Sequence, residues 1–133
     1  MTKPKHPDMA KPKAYQITWF DEPEEHNYPA AESYLTLLFE EKAVREYAKR
    51  LRKAKLTRFK AKDIFRASGL SLLGVSNHHV ERDRRKILGG KKLSPLLLVR
   101  DTVRSRLIIA DGYHRLCSVY QFDEDAWIPC KIV

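Results

Sequence analysis

Arg106–Tyr120, RLIIADGYHRLCSVY, reads as a strand, a tight turn and a helix, and the rest of the chain can be arranged around it. Leu107, Ile108 and Ile109 form a short apolar run rich in β-branched residues, as a buried strand requires. Asp111-Gly112 is a turn signal. Leu116, Cys117, Val119 and Tyr120 then supply an apolar face at helical spacing. This places the start of a helix at Gly112 or Tyr113, with Asp111 as its N-cap.

The turn has the ingredients of an anion site. The first amides of a helix lack intrahelical acceptors, and the helix dipole makes that end partly positive. Gly112 has no Cβ, so a phosphate could approach its backbone closely. Arg115 carries a planar fork that matches phosphate oxygens, and His114 adds a donor that changes charge near neutral pH. On spacing alone, a capped helix with a surface His-Arg pair is the simpler reading.

A family resemblance shifts the balance. Leu107–Val133, LIIADGYHRLCSVYQFDEDAWIPCKIV, resembles the C-terminal part of the ParB/sulfiredoxin-like superfamily: a strand, a Gly-x-His-Arg turn, a helix, an acidic turn and a closing Ile-Pro strand. Gly112-Tyr113-His114-Arg115 is similar to the Gly-Cys-His-Arg of sulfiredoxin, and Asp111–Arg115 fits the Asp-Gly-x-His-Arg of ADP-dependent serine kinases. Leu93–Val99 resembles the strand that precedes the motif, and the likeness extends loosely back to about residue 56. It implies an α/β (α+β) fold, a small mixed sheet with flanking helices, and a nucleotide or other phosphate ligand held by Gly112, Tyr113, His114 and Arg115. It also implies a catalytic part for Asp111, with His114, in a phosphotransferase or nucleotide hydrolase. A carboxylate beside polyphosphate calls for Mg²⁺ between them or a role as base toward a hydroxyl. Tyr113 stands where sulfiredoxin has its reactive cysteine, so sulfinic-acid reduction is not expected.

Working outward, His78–Gly90 is the second place for chemistry. Asn77 is its expected N-cap and Gly89-Gly90 its stop. Val80 and Ile87 make the buried stripe, and His79, Arg82 and Lys86 share one face. The resemblance sets those three on the positions that serve nucleotide phosphates. A surface helix with weak salt pairs among Glu81, Asp83, Arg84 and Arg85 explains the pattern as well. His78 and His79 are adjacent and diverge, which disfavours a metal.

The chain has 133 residues and a formal net charge of +9, with 43% hydrophobic and 10% aromatic residues. That bounds it to one core-forming domain and to acidic partners: nucleotide, nucleic acid or an acidic protein. Residues 1–13 read as a disordered basic tail, and 14–133 as one domain, with 14–55 an extension ahead of a 56–133 family core. No apolar run has the length of a membrane span and no secretory signal opens the sequence, so a cytoplasmic protein without membrane contact is expected. Cys117 and Cys130 are flanked by apolar residues and read as buried thiols.

Ala14–Phe20 reads as a strand, and Asp21–His26 as a solvated acidic loop without metal-loop spacing. Pro29 to about Lys55 reads as one long helix whose far half is basic, either a solvated face or a phosphate-backbone stripe. No helix-turn-helix pattern supports sequence-specific DNA reading, which leaves a DNA-associated role as an alternative. Thr57–Arg66 fits a strand or a helical turn. Ser68–Asn77 reads as a connector anchored by Leu70, Leu72 and Leu73. Residues 95–100 and 106–110 are expected to pair antiparallel, and Ile128–Val133 to close the sheet, with Pro129 arguing for an edge or a strand start.

Overall fold

The computed structural model describes residues 16–74 and 76–133, so the basic tail expected over 1–13 lies outside the described residues. A four-stranded mixed sheet runs in the order β2 (Thr57–Lys60), β6 (Trp127–Ile132), β4 (Leu96–Asp101), β5 (Arg106–Asp111). β2 pairs antiparallel with β6, β6 parallel with β4, and β4 antiparallel with β5. The fold is a mixed α/β arrangement with helices on both faces.

Both faces being covered explains why β4 is apolar at four successive positions rather than alternating. Leu96 and Leu98 point into one core with Ile109, Ile64, Ile87, Leu116 and Ile128. Leu97 and Val99 point into the other with Ile108, Tyr28, Leu35, Val44 and Leu51. The first face carries α3 (Ala61–Ser68), α4 (His78–Leu88) and α5 (Tyr113–Phe122), and the second carries α1 (Asn27–Leu35) and α2 (Glu41–Lys53).

The single helix expected from Pro29 to Lys55 is two helices. Leu35 and Val44 are both buried, yet they lie nine residues apart. At 3.6 residues per turn that is half a turn out of phase, so one straight helix could not turn both toward the same core. The break at Thr36–Glu40 brings the two stripes back into step. Phe39 N–H closes on the Leu35 carbonyl at 2.9 Å, and its ring tilts against Tyr47 with 5.1 Å between centroids. Leu37 and Leu38 stay exposed in the turn.

Other expectations are refined. The stretch Thr57–Arg66 is both things in succession, β2 and then α3, and Gly69 ends α3 in the left-handed region at φ 69°. Of the strand expected over Ala14–Phe20, Ala14 and Tyr15 lie outside the described residues, and within the rest the strand is β1 (Thr18–Trp19), parallel to β3 (Lys92–Leu93) in a sheet of its own. Between them the acidic loop is tied down: the Ser94 hydroxyl donates to Asn27 Oδ1, and Glu24 N–H reaches Ser94 Oγ at 2.9 Å. β6 is an interior strand, not an edge, and Pro129 lies inside it, after Trp127 and Ile128. Pro129 is tolerated because β4 registers with β6 only from Cys130 onward, so at Pro129 the strand has a neighbour on one side alone. No helix among the described residues is long and apolar enough to cross a membrane.

Candidate functional site

β5 delivers the motif. Between Leu97 and Leu98 the β4–β5 register shifts, so β5 carries one residue more than its partner just before Asp111. Such a bulge bends the strand and re-aims the side chains beyond it. Gly112 then turns the chain at φ 111°, and α5 starts at Tyr113.

Asp111 does not cap α5. The residue at the cap is Gly112, with no side-chain bond, and the Asp111 carboxylate instead accepts from Arg115 Nη2 at 3.0 Å. Both partners are mostly buried, 17% and 16% exposed, and a bonded charge pair outcompetes a neutral amide for the carboxylate. Arg115 Nη2 also lies 3.5 Å from the Pro95 carbonyl, while its Nε is buried without a partner.

The space beside Gly112 is not open to a phosphate in the way the missing Cβ suggested. A Cβ there would stand 2.6 Å from Leu96 Cγ and 2.9 Å from Arg115 Nη2. The glycine is required by its positive φ and by this close packing, and the chain's own side chains fill the gap.

The neighbouring imidazole is more accessible. α4 packs against α5, and the Ser118 hydroxyl donates to the Val80 carbonyl at 2.7 Å across the seam. Asn77 caps α4 as expected, its Oδ1 accepting from His79 N–H at 2.9 Å and Val80 N–H at 3.2 Å. The cap fixes where α4 begins, and His79 meets His114 with 4.8 Å between ring centroids. Burial first, then His79, with smaller pushes from Arg82 and Arg115, hold His114 below the usual histidine range, and Asp83 pulls part of the way back. Two helices thus bring His79 and Arg82, both exposed, near His114 and Arg115, both partly buried.

One of the candidate residues turns elsewhere. Tyr113 donates its hydroxyl to the Ser71 carbonyl and lies on the core, with burial raising its pKa. Lys86 lines a groove of about 420 Å³ along the outer face of α4 with Arg82, Arg85 and Lys91. The connector after α3 crosses α5 through Tyr113 and through Leu73, whose carbonyl accepts from Gln121 at 2.8 Å. Leu70 and Leu72 do not anchor it; they are exposed. Cys117 and Cys130 are buried free thiols, with burial pushing Cys117 up and Cys130 up to about 12. Unreactive thiols are what such burial gives. No metal-holding group of His, Cys, Asp or Glu occurs among the described residues.

Sequence reasoning misses Asp83 by grouping it with surface salt pairs, and Glu81 does pair with Arg84 and Arg85 at 3.5 and 3.0 Å. Asp83 itself is buried, 3.9 Å from Arg82 Nε, with Oδ2 unpartnered. The signal is present in the spacing: Val80, Asp83 and Ile87 fall on one helical stripe.

No protein-family model, no curated protein and no solved structure matches this chain.

Proposed function

We propose that the protein binds a phosphate-bearing ligand, a nucleotide, at the α4–α5 seam, with His79, Arg82 and His114 as donors. The observation that carries this reading is the convergence of His79 and His114 at 4.8 Å with Arg82 and Arg115 acting on the same imidazole. The two imidazoles and the half-exposed Arg82 present N–H donors at one place on the surface, and such donors suit a ligand of negative charge. The nucleotide class comes from the resemblance of Asp111–Arg115 to ParB/sulfiredoxin-like proteins. Arg115 is held by Asp111 and is not counted among the donors.

Binding is favoured over phosphotransfer or hydrolysis. For Asp111 to act as base or to meet Mg²⁺, it would have to let go of Arg115, and the pair is 3.0 Å and largely shielded from water. Nucleic-acid binding along α2 is the weaker alternative, because part of its charge is already spent: Arg45 pairs with Glu41, and Arg52 pairs with Glu25 and lies over Tyr28.

Calorimetric titration with ADP and ATP, with and without Mg²⁺, tests the proposal. Arg82 is half exposed, so Arg82→Gln keeps the fold, and its affinity is expected to fall by about tenfold. No nucleotide binding, or binding unchanged in Arg82→Gln, refutes the assignment. Salt-steep binding of duplex DNA in its place favours the α2 alternative.

A further inference from the structure

α3 is only two turns long and covers part of its face of the sheet. Where it stops short, beside the β4–β5 turn, a cleft of about 390 Å³ remains. That is a volume within the range of small-ligand sites. All four strands reach it: Phe59 from β2, Ile132 from β6, Arg100 from β4 and Leu107 from β5, with Ile64 and Ala67 of α3 forming the opposite wall.

The floor is apolar and the rim is charged, but the rim charges are unequal in what they already hold. Asp63 pairs with Arg66 at 3.3 Å. Asp101 is buried and shared by two cations, Arg104 at 3.2 Å and Arg106 at 3.8 Å. Arg100 has no carboxylate partner among the described residues, although it is directly opposite Leu107 and on the apolar face. One unmatched guanidinium at the mouth of an apolar cleft complements one negative charge on an apolar body. We propose that this cleft binds an apolar monocarboxylate, its hydrocarbon on Phe59, Ile64, Leu107 and Ile132 and its carboxylate on Arg100.

Calorimetry of the full chain with octanoate and with octan-1-ol tests this, in the wild type, in Arg100→Gln and in Ala67→Phe. Ala67 is exposed, so the added ring fills the cleft without entering the core. Octanoate is expected to bind saturably at one site and to weaken by about tenfold or more in Arg100→Gln. Octan-1-ol is expected to bind both proteins alike, and Ala67→Phe to lose both ligands while its thermal melt stays that of the wild type. Amide shifts on titration are expected near Phe59, Leu107 and Ile132 and not on α4. Equal octanoate affinity in wild type and Arg100→Gln overturns the proposal. So does the absence of saturable binding, including the case in which the protein has the mass of two chains in solution and a second copy covers the cleft.

Discussion

At one end of the β4–β5 hairpin, Leu96, Asp111, Gly112 and Arg115 close on one another; at the other, Arg100 and Leu107 look onto an opening of about 390 Å³. The two places are roughly 17 Å apart, five residues of strand. The first is the one the sequence advertises, with its Asp-Gly turn and basic pair, and it is packed. The second has no local motif, and it is open. The contrast teaches that a motif marks where the backbone needs particular residues, which is not the same as where it leaves room. At Gly112 the need is internal: a positive φ, a leucine in contact and an arginine held to its own carboxylate.

The largest expected effect tests the packed end. Gly112→Ala adds a methyl that overlaps Leu96 and forces an L-residue to φ 111°, so it is expected to destabilise by about 3 kcal/mol or more in chemical denaturation. A near-neutral result would mean the corner has slack, and that a phosphate could reach the Gly112 backbone after all.

A smaller effect of opposite sign separates a structural Asp83 from a functional one. Its Oδ2 is buried without a partner, and Leu at that position would continue the Val80–Ile87 stripe. Asp83→Leu is expected to stabilise by about 1–2 kcal/mol, since an imperfectly paired buried charge costs more than a packed side chain. A lowered melting temperature would instead show that the carboxylate braces the seam through the histidines.

The smallest effect concerns His114. Its pKa lies below the ordinary histidine value of 6.5, with burial the main cause. Between the two values the unfolded chain binds more protons than the folded one. The contribution to stability is therefore fully present above pH 6.5 and is lost as pH falls through the folded value. Phosphate binding runs the other way and tightens as pH falls, because the protonated imidazole holds the anion. His114→Gln is expected to flatten both slopes, measured by urea denaturation and by titration at about pH 5 to 8, a range set around the histidine value. Unchanged slopes would remove His114 from the ligand and leave the corner without its switchable donor.

The features legible in the sequence are local ones. The β4–β5 hairpin, the start of α5 and the Asn77 cap each rest on a few adjacent residues, and each is where the pattern puts it. Phase errors hide the rest. A three-and-four spacing carried through Leu35 and Val44 gives one helix, although nine residues reverse a helix face. Pro129 suggests an edge because its exemption depends on the register of β4, a partner thirty-odd residues upstream. The cleft is illegible for a similar reason, since Phe59, Arg100, Leu107 and Ile132 come together only after the sheet has formed.

β6 has a consequence for how the protein is made. It is the latest of the described strands to be synthesised, yet it stands between β2 and β4. Until the ribosome has delivered Trp127–Ile132, β2 has no hydrogen-bonding mate and the greasy Leu96–Val99 backbone shows a naked flank. A nascent chain paused at that stage presents an unpaired strand edge, a template for edge-on pairing with another chain.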